Sequence, residues 1–501
     1  MRPAHFVPAG VVLAALGVIA GVAQLARPAP ATTSQVSAAP RQVAVSSAVR
    51  ACPPAQGGGS AKVALISGSP VSPGSPSPAT TAGPGQVELA PLPLAGVQVH
   101  AVSPISQTDP GALSLLAIPA ASSVSKKGTT VAEGWSVTGT GVMASAMEAE
   151  ETESSGLSSI RCGEPSSDIW FVGPGQQNGA SQIQLDLMNI DALAASVDVR
   201  VITEAGPVQA DGDTGITVPP YQTVTESLSA LGANSPVVAI EVRTSIGRVA
   251  ADVWESSAAG SSWLPSTTAP STSMVIPGVP PSGSAARLFI AVPGSLSARV
   301  SVLAITPQGR YHPFGAQTVD VPGGSAFYAQ LAPLGGTDAA LELTSNVPVS
   351  AAVLVPGSGL GAFTAATAPI IGQAVVAGNT TGSGPSATIA LSATARAARV
   401  RLTEIALATS GRSAGPSLSV SQVVTVQAGH TLVVPVAAPK GSGSGSAFAV
   451  VITPLPGSGP LYAARVETQG QSAVVSIMPA ISALTTINLP PVRESYSAIS
   501  P

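Results

Sequence analysis

From Trp170 onward, apolar and polar residues alternate in short runs, and the same run types return about every 100 residues. Trp170–Gly175, Met274–Val279 and Ala374–Asn379 each open a unit. Paired runs follow: Ile183–Leu187 with Val197–Ile202, Arg287–Ile290 with Ala298–Leu303, and Ala387–Leu391 with Ala398–Leu402. A period of two over four to eight residues predicts half-buried strands. Next, Ile216–Pro220, Val319–Gly324 and Val424–Gly429 each predict a strand that ends in a Pro or Gly turn. The units close on Val237–Val242, Ala339–Leu343 and Phe448–Ile452, each with a turn and a last strand at Val249–Val253, Val349–Val353 and Leu461–Arg465. About seven strands per unit is the size of an immunoglobulin-like sandwich, whereas a propeller blade places four strands in about 40–45 residues.

The reading is therefore all-β: tandem immunoglobulin-like β-sandwiches behind an N-terminal transmembrane helix. The predicted boundaries are 1–27 for a short cytoplasmic tail and the helix, 28–50 for an Ala/Pro/Ser/Thr-rich tether, and 51–165 for an irregular β-domain. Three sandwich repeats at 166–270, 271–369 and 370–480 follow, with a loose tail at 481–501. Gly141–Glu148 resembles the closing strand of a unit, which makes the irregular domain a diverged copy. Ser67–Gly85 reads as a stalk or long surface loop.

The helix is Phe6–Ala26, an uncharged run whose 21 residues, at about 1.5 Å each, match a bilayer core of roughly 30 Å. A short tail before it favours N-inside, C-outside. The other reading is a cleaved signal peptide, with Ala29-Pro30-Ala31 imitating a cleavage site. Both send the remaining chain across the cytoplasmic membrane.

Composition supports strands over helices. Charged residues are 9% of 501, and Gly and Pro number 52 and 47, a mixture suited to short strands and turns. A net charge of −4 without a basic block excludes the electrostatic footprint of a nucleic-acid binder. The two cysteines, Cys52 and Cys162, have no CxxC spacing and no neighbouring His, leaving a disulfide or two unrelated thiols. Export favours the disulfide, which would close the N-terminal β-domain onto its neighbour.

Candidate chemistry is sparse. His5, His100, His312 and His430 are scattered, and solvated turns account for the last two. Asp211-Gly212-Asp213 begins like a cation loop but lacks the later acidic ligands. Glu148, Glu150, Glu151 and Glu153 read as a solvated strand edge that resists strand addition. Gly173–Gly179 opens no helix and has no Lys, and Gly441–Gly445 is a hairpin loop. Trp135, Trp170, Trp254 and Trp263 read as packing residues before sugar platforms, and Asn379-Thr380-Thr381 matches a glycosylation sequon. No catalytic, cofactor or metal residues are assigned.

The N-terminal span, Cys52-Pro53, the block Arg161-Cys162…Pro165…Trp170-Phe171-Val172-Gly173 and the later repeats together resemble an uncharacterised family of actinobacterial membrane-anchored, extracytoplasmic proteins. That resemblance implies topology and envelope location, and no reaction. The expected function is a non-enzymatic envelope scaffold, adhesion or partner-binding module, whose partner would be an envelope protein or glycan. The alternative is an envelope enzyme or carbohydrate-binding accessory with a site at a sandwich end. Carboxylates gathered in one concave pocket would favour the alternative.

Overall fold

The structure, a computed structural model, describes residues 41–489, leaving out several internal stretches, the longest of which are 68–84, 97–104, 108–113, 118–123 and 410–418. The chain divides into two compact units, Ala44–Ile487 and a second made of both termini. Few residues of the terminal unit are described. Phe6–Ala26 lies outside the described residues, among which no helix is long and apolar enough to cross a membrane.

Ala44–Ile487 is nearly all strand. The period-two alternation is realised in Ala195–Thr203, Ala298–Thr306 and Ala398–Ala406, where inward positions are buried and the intervening ones reach solvent. In the first repeat, Asp168–Pro174, Val237–Ile246 and Ala195–Thr203 form one sheet, with Gly206–Val208 and Ile216–Val218 at its edge. Gln222–Ser227, Gln182–Asn189, Ala250–Ser257 and Gly260–Leu264 form the other. Side chains from both sheets, among them Phe171, Leu185, Val199 and Val253, share one core.

This order differs from the immunoglobulin one. The second strand pairs the fifth and the third pairs the sixth, as in that fold, but the first strand lies beside the sixth and the seventh beside the second. The third repeat has the same order, in the sheets built on Ala398–Ala406 and on Ser386–Ala393. The second differs in one respect. Its sixth and seventh strands, predicted with a turn between them, are one strand, Ala339–Val355, which leaves one sheet at Val349 and enters the other at Ser350.

The turn after the third landmark needs a left-handed residue. Gly324 and Gly429 supply it with φ 70° and 72°, and the first repeat places Tyr221 there at φ 53°, a conformation that glycine adopts at no steric cost.

An N-terminal module precedes these repeats, with sheets on Gly134–Thr140 and on Glu148–Glu153. Its first strand, Ser47–Cys52, begins inside the stretch expected to be tether, and Arg50 on it is buried. The C-terminal stretch expected to be loose is also engaged: Ser482–Ala483 pairs with Gln373–Ala374, and Leu484 O accepts from Ala146 N–H.

Contacts between modules run in a closed circuit. Phe289 and Phe363 of the second repeat join the first repeat's core. Val466 and Ile477 of the third join the second's. Ala64 and Ile66 of the N-terminal module pack with Val375 and Val451 of the third, while Leu92 packs with Met188 and Ile190 of the first. Such sharing explains why apolar residues on nominally outward faces are buried.

Candidate functional site

The acidic run is the largest departure from expectation. Glu148–Glu153 is not an edge: Ser159–Arg161 flanks it on one side and Ala61–Ile66 on the other. Glu148, Glu150 and Glu151 are 3, 2 and 2% exposed. Ionised carboxylates at such depth require partners.

Arginines from three other strands supply them to Glu148 and Glu150. Glu148 accepts from Arg50 Nη2 at 3.1 Å and from Arg161 Nη1 at 2.7 Å. Arg161 also donates to the carbonyl oxygens of Val375 and Pro479, in the third repeat. Glu150 Oε2 accepts the backbone N–H groups of Ala377 and Gly378, at 3.1 and 2.8 Å. Its other oxygen is ion-paired with Arg465, a fully buried guanidinium that also pairs with Glu467 and donates to Ser159 Oγ. A Cβ on Gly378 would lie 2.5 Å from Glu150 Oε1, so the glycine makes room for the carboxylate. At the rim, Arg50 meets Glu164 at 3.4 Å.

The Cys52–Cys162 disulfide is present beside this cluster, with Cα atoms 4.3 Å apart and both residues wholly buried. It sits in the N-terminal core with Trp135, Met143 and Met147.

A cleft of about 240 Å³ opens where the N-terminal module, the first repeat and the third repeat meet. Arg50, Glu148, Arg161, Glu164, Asp252 and Trp263 are among its lining residues. Four carboxylates, those of Glu148, Glu164, Asp168 and Asp252, thus share one concavity. Glu148 is held by two arginines and Glu164 by one.

Asp252 is different in kind. Its strand, Ala250–Ser257, is buried on both faces through Glu255, so Asp252 is 5% exposed. It lies opposite Asp186 on the neighbouring strand. Burial, then the charges of Asp186 and Glu151, pushes its carboxyl well above the ordinary range, and its Oδ2 has no hydrogen-bond partner among the described residues. Asp186 accepts from Thr225, Gln184 and Gln56, yet burial still raises it to about 6. Glu255, fully buried, is raised well above its usual value by burial, against the opposing influence of Arg287. The cleft therefore places a carboxyl whose uncharged form is favoured by burial beside carboxylates paired with arginine.

For both aspartates the folded pKa lies above the unfolded one. Their contribution to stability is complete below about pH 4 and is lost as pH rises through the raised folded values, about 6 for Asp186. Asp252→Asn should accordingly gain in stability on the parent as pH rises from 5 to 8. Urea midpoints at pH 5, 6.5 and 8 measure this. Parallel curves for the two proteins would show that Asp252 ionises without cost.

The remaining sequence candidates are not assembled into a site. Nδ1 of His312 meets Val302 O and that of His430 meets Ala428 O, and neither ring lines the cleft. His5, His100 and Asp211–Asp213 lie outside the described residues. Gly173 is paired within a strand. All four tryptophans are buried, as packing residues should be; Trp254 and Trp263 meet edge to face at 4.8 Å. Asn379 is fully buried and donates to Val376 O and Phe448 O, so the sequon is closed in the folded chain. Among the described residues no group of three or more His, Cys, Asp or Glu could hold a metal.

Fold and site define a class: an all-β protein of shared-core, paired-sheet modules, stapled by one disulfide and a buried Arg/Glu cluster. The chain belongs to a family of unknown function (DUF5719), which matches residues 120–437. That match takes in the acidic strand, the second cysteine and most of the three repeats. No curated protein and no solved structure matches the chain.

Proposed function

We propose that the chain is a non-enzymatic cell-envelope scaffold, anchored in the cytoplasmic membrane by Phe6–Ala26, that presents a stiff β-body outside the cytoplasm to an envelope protein or glycan. The observation that carries this reading is the buried Arg50–Glu148–Arg161 and Glu150–Arg465–Glu467 cluster. It joins the first module to the last, so the repeats cannot swing as beads on a string. The disulfide fits an oxidising compartment. We read the paired-sheet modules as a variant of the immunoglobulin-like sandwich with first and last strands exchanged.

The cleft favours the second reading, a carbohydrate-binding accessory or enzyme, because it gathers carboxylates in one concavity. Against catalysis stand the arginine pairing of Glu148 and Glu164 and the immobilised Cys162.

Complementation in a host strain lacking the chain separates the two. Asp252→Asn should restore the protein composition of washed membranes as fully as the parent, whereas a chain without Phe6–Ala26 should not. Failure of Asp252→Asn at parental abundance and stability would move the assignment to the enzyme or glycan reading.

A further inference from the structure

The third repeat ends its outer sheet on Ser419–Val426, which pairs along its whole length with the strand Ala398–Ala406, from Ala398 opposite Val426 to Ile405 opposite Ser419, without a register shift. The corresponding strands in the first and second repeats are only Ile216–Val218 and Thr318–Val321. In those repeats a tight turn sends the chain straight back, and Gly206–Val208 or Gly309–Tyr311 occupies the far end of the third strand. In the third repeat the chain departs instead, and Ala408–Thr409 pairs with Ser114–Leu115 of the N-terminal module. The full length of Ala398–Ala406 is thereby left for an eight-residue edge.

Among the described residues that edge lacks the usual protections. Sheet edges are normally blunted by shortness, charge, proline or a bulge. Ser-Val-Ser-Gln-Val-Val-Thr-Val has no charge and no proline. Seven of its eight residues are not buried, with Val420 and Val423 49 and 50% exposed. Among the described residues no strand pairs with its free side.

We propose that Ser419–Val426 is a pairing surface for the same strand of a second copy, joining two sheets edge to edge about a two-fold axis. Antiparallel self-pairing places each residue opposite its mirror position across the axis. With the axis at Gln422, Ser419 faces Thr425, Val420 faces Val424 and Ser421 faces Val423. Moving it to Val423 again sets only Val, Ser, Thr and Gln against one another. Like charges directly opposite would oppose pairing, and here there are none. By contrast, Thr318–Val321 carries Asp320, which would oppose its own copy near such an axis. This pairing stands apart from the scaffold reading and would survive its failure.

Sedimentation velocity of the full chain in mild detergent, over a concentration series, tests the proposal. The parent should shift from monomer to dimer as concentration rises. Val423→Lys, which brings a positive charge from each copy to the axis or to the position next to it, should weaken the apparent affinity at least tenfold with an unchanged unfolding midpoint. Gln422→Cys gives an independent readout, since the native cysteines are already bonded to each other. Mild oxidation should cross-link it into dimers, and the exposed control Ser245→Cys should stay monomeric. A chain that remains monomeric throughout the series and does not cross-link at residue 422 would overturn the proposal. So would a dimer indifferent to Val423→Lys, or an edge found to pair with an extended segment of another protein.

Discussion

Arg465→Met is expected to lower the unfolding free energy by about 3–5 kcal/mol, the range for breaking one side of a buried ion pair. Arg465 is fully buried, and its guanidinium is the common counterion of Glu150 and Glu467. Without it, Glu150 keeps two backbone N–H donors but loses its positive charge, and Glu467, already pushed up by burial, loses the main influence that holds it ionised. The reverse is expected when charge is removed from both sides. Arg465→Met combined with Glu150→Gln should recover much of the loss, because well-packed neutral replacements of buried pairs are often tolerated. Equilibrium urea unfolding of the parent, both single variants and the double variant gives the coupling directly. A single-variant loss below about 1 kcal/mol would mean that water reaches the cluster and the clasp is weak.

The second large effect belongs to the disulfide. Cys52 and Cys162 close a loop of 110 residues, for which the chain-entropy argument gives nearly 5 kcal/mol, and removing native bridges typically costs about 2–5. Both sulfurs are buried in a small core that also holds Trp135, Val137 and Met143. That core is smaller than those of the repeats, so it has less to offset the lost cross-link. Cys52→Ala with Cys162→Ala should lower the thermal midpoint and unfold the N-terminal module ahead of the repeats. Fluorescence of Trp135, isolated by replacing the other tryptophans with Phe in both backgrounds, reports that order. A single transition at the parental temperature would show that the repeats hold the module unaided.

Local pattern carried the fold a long way and the site hardly at all. Alternation is a property of neighbours, and strands such as Ala195–Thr203 and Ala398–Ala406 were legible from it. The pairing of Cys52 with Cys162 was legible from scarcity and from the expectation of export. The strand Ala339–Val355 was not, because the residues between Leu343 and Val349 read as a turn until two sheets are present to continue the chain on either side. Glu148–Glu153 was misread for a related reason: four Glu in six residues look solvated, and the groups that make burial tolerable are 98 residues away at Arg50 and 227 away at Ala377. Asp186, Asp252 and Glu255 were equally hidden. Asp186 and Asp252 hold polar positions on a face that suits solvent but is covered by another part of the chain, and Glu255 sits on the core-facing side of its strand. The one local hint was Gly378, a glycine inside an apolar run that marks close approach.

Amide hydrogen exchange at Ala377 and Gly378 tests the central claim that the buried cluster makes Ala44–Ile487 one body. Both N–H groups donate to Glu150 Oε2 across the junction between the first and last modules. They should exchange only through global unfolding, with the same opening free energy as core amides such as Val199 and Val302, and both should become exchange-labile in Arg465→Met. Rapid exchange at these two amides in the parent, while the repeat cores stay protected, would show the junction opening on its own and would contradict the account.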